Sequence, residues 1–131
     1  MTNHVKEITK MAEQGHARAQ YSLGVSYVNG KGVEQDYEIA VEWWTLAAEQ
    51  GHANAQFRLG FMYFIDKGVE QDYYEAVYWW TLAAEQGLAE AQFSLGVGYS
   101  DGKGLEQNDK TAVKWYTLAA EQGDAYSQYN L

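Results

Sequence analysis

The chain has 131 residues, the size of one ordinary domain, and its 47% hydrophobic and 15% aromatic residues supply ample material for a core. It contains no cysteine, which excludes a disulfide framework, a thiolate metal site and a catalytic thiol; the redox compartment stays open, with a lean towards the cytosol. A formal net charge of -9 and a pI near 4.6 disfavour a phosphate-tracking surface, so no nucleic acid is expected as a partner.

The elements follow in chain order as copies of one unit. Residues 1–10 form an N-terminal half-unit in which Lys6, Glu7 and Lys10 stand among few apolar residues. That stretch lacks the apolar run of a signal peptide, and no stretch reaches membrane-spanning length, so a cytoplasmic protein with no membrane partner is expected. At Met11 to Gly15 comes a near copy of the string Ala-Ala-Glu-Gln-Gly, which then recurs at Ala47 to Gly51, Ala83 to Gly87 and Ala119 to Gly123, always 36 residues apart. The division is therefore into full units 11–46, 47–82 and 83–118 within a single domain, with a C-terminal half-unit at 119–131.

Each unit holds two helical stretches. The first, helix A, runs in the first unit from about Ala17 to Val28, with Gln20, Leu23, Gly24 and Tyr27 at the three-and-four spacing of one face. The loop Asn29 to Gln35 follows, its glycines at 30 and 32 permitting the positive φ of a short reversal. The middle unit has Asp66 where the others have Gly30 and Gly102, and aspartate tolerates the left-handed region better than most residues. Helix B runs from about Tyr37 to Gln50 behind Asp36, a good N-cap, and Gly51 stands where a left-handed residue ends it. Period-two alternation is absent, so no strand competes.

Two short helices cannot bury their own apolar face, so units must stack and share one elongated core. The expected fold is all-α, a right-handed α/α superhelix (solenoid) of 36-residue helix-turn-helix repeats. Such an array exposes an inner groove lined by one helix of every repeat.

The residues Ala19 to Tyr27 (Ala-Gln-x-x-Leu-Gly-x-x-Tyr), Gly30 to Asp36 and Ala40 to Gly51, with its paired tryptophans, resemble the Sel-1-like repeat family, relatives of the tetratricopeptide repeats. The resemblance covers residues 11–131. It implies a non-catalytic adaptor or scaffold in protein complexes, in signalling, secretion or host contact by bacteria. One branch of that family pins its helices with paired cysteines and has been credited with β-lactam binding or hydrolysis; this chain has none, so a small hydrolase of that kind gains no support. The last residue, Leu131, corresponds to Leu23 inside helix A, which suggests a half-repeat cap or a longer array.

Comparing the units with one another separates scaffold from site. Leu23, Gly24, Tyr27, Ala40 and Trp43 keep their identity in all three units and are assigned to the core, Trp43, Trp79 and Trp115 included, rather than to a carbohydrate or cofactor site. The varying positions of helix A are Arg18, Ser22, Val25 and Asn29; then Asn54, Arg58, Phe61 and Ile65; then Glu90, Ser94, Val97 and Asp101. They share one face, proposed to line the groove and bind a protein or peptide. On helix B the varying pairs are Glu38 and Glu42, Tyr74 and Tyr78, and Lys110 and Lys114, on an outer stripe. Extra apolar character gathers in the central unit. Phe61, Met62 and Phe64 suit either the inter-repeat core or an anchor surface, whereas Tyr74 and Tyr78 are expected to be exposed and to make contacts, with a homodimer or homotypic assembly as one outcome.

No catalytic, cofactor or metal residue is assigned. The Gly30-Lys31-Gly32 loop lacks the third glycine and preceding strand of a nucleotide motif. His16 and His52 are repeat equivalents in inter-helix turns and form no local ligand cluster. Glu34, Asp36, Glu70 and Asp72 recur as caps and solvated loop residues, and no Ser-His-Asp pattern is visible.

Overall fold

The computed structural model describes residues 1–123. Residues 124–131, most of the C-terminal half-unit and including Leu131, lie outside the described residues. Among those described there are seven α-helices and no strand: α1 Asn3–Glu13, α2 Ala17–Asn29, α3 Tyr37–Glu49, α4 Ala53–Ile65, α5 Tyr73–Glu85, α6 Ala89–Asp101 and α7 Asp109–Glu121. Helix A of the three units is thus α2, α4 and α6, helix B is α3, α5 and α7, and α1 holds the place of a preceding helix B. The extensive contacts run only between helices consecutive in sequence. That is an α/α solenoid, not a closed bundle.

Local chemistry sets the helix ends. Asp36 Oδ1 accepts the N–H of Ile39 at 3.0 Å, and Asn108 Oδ1 that of Thr111 at 3.0 Å. Gly51, at φ +90°, turns each helix B into the next helix A, as its copies do. The central loop keeps its left-handed residue: Asp66 lies at φ 61° and ψ 48°, and its Oδ1 accepts the N–H of Gln71 at 2.8 Å. Gln35, Gln71 and Gln107 each donate to a last-turn carbonyl of the helix A before them, Val28, Phe64 and Ser100, at 2.7 to 2.9 Å.

The core is a row of clusters, one per layer junction. Val5, Ala12, Ala19 and Leu23 form the first; Trp44, Ala47, Ala55, Leu59 and Met62 belong to the second; Trp80, Ala83, Ala91 and Leu95 belong to the third. Leu23, Leu59 and Leu95 are fully enclosed. The tryptophans correct the sequence reading. Trp43, Trp79 and Trp115 are only half-buried and pack back onto the preceding layer. The deep positions are the next residues, Trp44 and Trp80.

Each deep ring has a seat made by a missing side chain. The Trp44 indole lies on Gly24 and donates its N–H to the Tyr21 carbonyl at 3.0 Å; Trp80 lies on Gly60 and donates to Phe57 at 3.2 Å. A Cβ on Gly60 would meet Trp80 Cδ1 at 2.7 Å, and one on Gly96 would meet the Tyr116 ring at 2.6 Å. A mid-helix glycine costs about 1 kcal/mol against alanine. Here it admits an aromatic plane directly onto the helix backbone.

A second device joins successive layers. Gln20, Gln56 and Gln92 are buried polar residues. Gln20 Nε2 donates to the Ala12 carbonyl at 3.1 Å, while its Oε1 accepts from Gln50 Nε2 at 2.9 Å, which donates also to the Gly15 carbonyl at 3.0 Å. Gln56 and Gln86 repeat this set, and Gln122 donates to Gln92 at 2.8 Å. Three consecutive helices are tied through one amide pair, which satisfies the buried carboxamides.

Candidate functional site

The residues singled out on helix A fall at equivalent positions of α2, α4 and α6. Arg18, Ser22, Asn54, Arg58, Phe61, Ile65 and Glu90 are exposed, and Ser94 is half-buried. None is enclosed between repeats. Between α2 and α4 lies a cavity of about 170 Å³ lined by Val28, Tyr37, Trp44, Arg58, Phe61, Met62, Ile65 and Lys67. Between α4 and α6 lies a second, of about 180 Å³, lined by Phe61, Phe64, Trp80, Phe93, Ser94, Val97, Gly98, Asp101 and Lys103. The Phe61 side chain is common to both and stands as the wall between them.

The apolar residues of the central unit divide. Met62 is 5% exposed and belongs to the core, whereas Phe61 is 43% and Ile65 37% exposed. Phe64 is half-buried, with ring centroids 5.3 Å from Trp80 and 5.0 Å from Tyr73. Phe61 and Ile65 leave apolar surface in water that the fold does not require.

Arg18, Ser22, Asn54 and Glu90 lie outside both cavity linings, nearer the N-terminal ends of their helices. Several lining residues were not among the varying positions: Lys67, Lys103, Phe93 and the deep tryptophans. Each is a lysine or aromatic in every unit, so a comparison between units sorts it with the scaffold. Lys67 Nζ lies 5.0 Å from the Tyr37 ring centroid, and Lys103 Nζ 5.7 Å from those of Phe64 and Tyr73. A basic residue at a loop position that borders aromatic positions is the one sequence signal that marks them.

On helix B, Tyr74 is 77% and Tyr78 55% exposed, as expected for the outer stripe. Tyr78 meets Trp79 edge-on at 5.0 Å.

The electrostatics are uneven. The sequence carries 18 acidic residues against 9 lysines and arginines, yet α2 and α4 contain no aspartate or glutamate and hold Arg18 and Arg58. Of the three helices A, α6 is the one with acids, Glu90 and Asp101. His52 accepts the Ala55 N–H on Nδ1 at 3.1 Å and stacks 4.9 Å from Tyr21; burial, then the charge of Arg18, lowers its pKa. Burial and then Glu75 and Asp72 raise the phenol of Tyr63, and burial and then Asp101 raise that of Tyr116. Among the described residues there is no group of three or more histidines and acids able to hold a metal, and no helix long and apolar enough to cross a membrane.

Comparison with known proteins agrees with this architecture. The family model described as Sel1 repeat matches residues 17–52, 53–88 and 89–124. Those bounds start each unit at helix A, six residues later than the division at 11, with the same 36-residue period. The chain is similar to the crystal structure of a protective antigen of uropathogenic Escherichia coli that displays an SLR fold, with 46% identity and a TM-score of 0.90 over 92% of this chain. It spans 26% of that antigen's length. A Sel1 repeat protein from Oxalobacter formigenes matches over 99% of this chain and 98% of its own, at 35% identity and a TM-score of 0.89. Cysteine rich protein B of Helicobacter pylori shares the fold, at 20% identity and a TM-score of 0.79 over 98% of this chain and 95% of its own. Among curated proteins the sequence has no significant match.

Proposed function

We propose, from the premise that this chain belongs to the Sel1 repeat family, that it is a non-catalytic scaffold or adaptor which holds a protein or peptide segment along the trough on its helix-A side. Proteins of this family commonly serve as protein-interaction scaffolds and are generally non-enzymatic. The observation that carries the reading is Phe61, 43% exposed between two apolar cavities. A large ring held by its neighbours and open to solvent offers contact area at little further entropic cost, the property of interface anchors. The varying residues Arg18, Ser22, Asn54, Arg58, Ile65, Glu90 and Ser94 would then tune partner choice around it.

The test is affinity purification from the source cells with the native chain and with Phe61→Ser combined with Ile65→Ser. Partners retained by the native chain and lost by the variant support the trough; an unchanged set of partners contradicts it.

A second reading, homotypic assembly, is favoured by Tyr74 and Tyr78, which stand four residues apart on one helix face at 77% and 55% exposure. Sedimentation of the native chain and of Tyr74→Ser with Tyr78→Ser separates the two. A dimer that dissociates in the variant supports assembly, and a monomer in both leaves the trough as the sole binding surface proposed.

A further inference from the structure

The charge pattern of the trough says more about its occupant. In a chain with twice as many acids as bases, the cavity between α2 and α4 is lined by Arg58 and Lys67 and by no acid. Neither cation makes an ion pair with a described residue. Lys67 instead leans on the Tyr37 ring, at 5.0 Å from its centroid. The apolar part of the lining is Val28, Phe61, Met62 and Ile65. The neighbouring cavity, across Phe61, has Lys103 offset by Asp101 and is close to neutral. The trough therefore has a polarity along the stack, cationic at α2/α4 and balanced at α4/α6.

Resting on the reading of the trough as a binding surface, we infer that its occupant is a partner segment with two apolar side chains, one for each side of Phe61, and one or more carboxylates beside the anchor that enters the α2/α4 cavity. Each cavity, at about 170 and 180 Å³, suits one large side chain. Acids spread over the rest of the surface repel such a segment elsewhere, so the unopposed Arg58 and Lys67 select register as well as charge. Two carboxylate contacts on a half-open surface are worth modest affinity and a marked dependence on ionic strength.

The experiment pans a phage-displayed library of random peptides on the full chain, and measures the selected peptides on the native chain, on Phe61→Ala, and on Arg58→Glu combined with Lys67→Glu. Arg58→Gln with Lys67→Gln serves where charge reversal lowers helicity. The expected result is enrichment of aspartate or glutamate next to paired apolar residues, binding that weakens with salt, and a loss of about ten-fold or more on charge reversal. Peptides that need Phe61 yet are neutral or basic and indifferent to charge reversal overturn the acidic occupant while the trough stands. Peptides indifferent to both changes, or a library in which nothing is enriched, overturn both. A concentration-dependent dimer abolished by charge reversal assigns the trough to a second copy of this chain and overturns the peptide occupant.

Discussion

The carboxamide of Gln50 donates to that of Gln20 at 2.9 Å across 30 residues of sequence, and Gln20 is buried, only 4% exposed. The same pair recurs as Gln86 with Gln56. Because a buried polar group left without its partner carries the full desolvation cost, Gln56→Leu is expected to destabilise the chain by about 1–3 kcal/mol, and Gln86→Ala by less, since Gln86 is exposed. Combined, the two should cost less than their sum. Urea denaturation of the four proteins of the cycle measures this, and strict additivity would contradict the pairing.

The ring seats give opposite expectations for two helical glycines. Gly60→Ala forces its Cβ against Trp80 and should cost about 1–3 kcal/mol. Gly98, in α6, would place a Cβ no nearer than 3.7 Å from the Lys103 carbonyl, so Gly98→Ala should gain about 0.5–1 kcal/mol from helix propensity alone. Thermal melts of both variants check the pair, and a loss at both sites would contradict the assigned packing.

Asp66 is the one residue other than glycine at positive φ among those described. Its left-handed backbone costs about 1 kcal/mol, and the bond from its Oδ1 to the Gln71 N–H repays part of that. Asp66→Ala keeps the backbone cost and removes the bond, so it should destabilise by about 1–2 kcal/mol. Asp66→Gly removes both and should stay within about 0.5 kcal/mol of the native chain. Equal losses in chemical denaturation would contradict this division.

The lowered pKa of His52 makes stability depend on pH. The unfolded chain takes up the proton first as pH falls, so the contribution of this residue is complete above the ordinary histidine value of about 6.5 and is lost as pH drops through the lower folded value. His52→Asn keeps a capping side chain without the titration. Between pH 7.5 and 5.5 the native chain should lose more of its Tm than the variant; equal losses would contradict the role given to His52.

The architecture was legible because the chain prints its own comparison: three copies at a fixed period mark the glycine turns, the caps and the helix faces. That logic does not rank depth. Trp43, whose position is tryptophan in every unit, packs half-buried against the core, whereas the deeper Trp44 position is tyrosine in the third, at Tyr116. A seat over glycine accepts either flat ring, so the most enclosed aromatic site is the more variable one. The glutamine relay was invisible for another reason: its members are 30 residues apart and read as polar filler until the layers stack. Lys67 and Lys103 do not stand out in the sequence because a constant residue can line a surface cavity as readily as the core.

The placement of the partner is tested most directly by photo-crosslinking from single sites, with a photoreactive phenylalanine analogue at Phe61, at Ile65 and, for comparison, at Glu42 on helix B. A partner captured from the first two sites and absent from the third is the expected result. Capture from Glu42 with none from Phe61 or Ile65 would contradict binding along the helix-A trough.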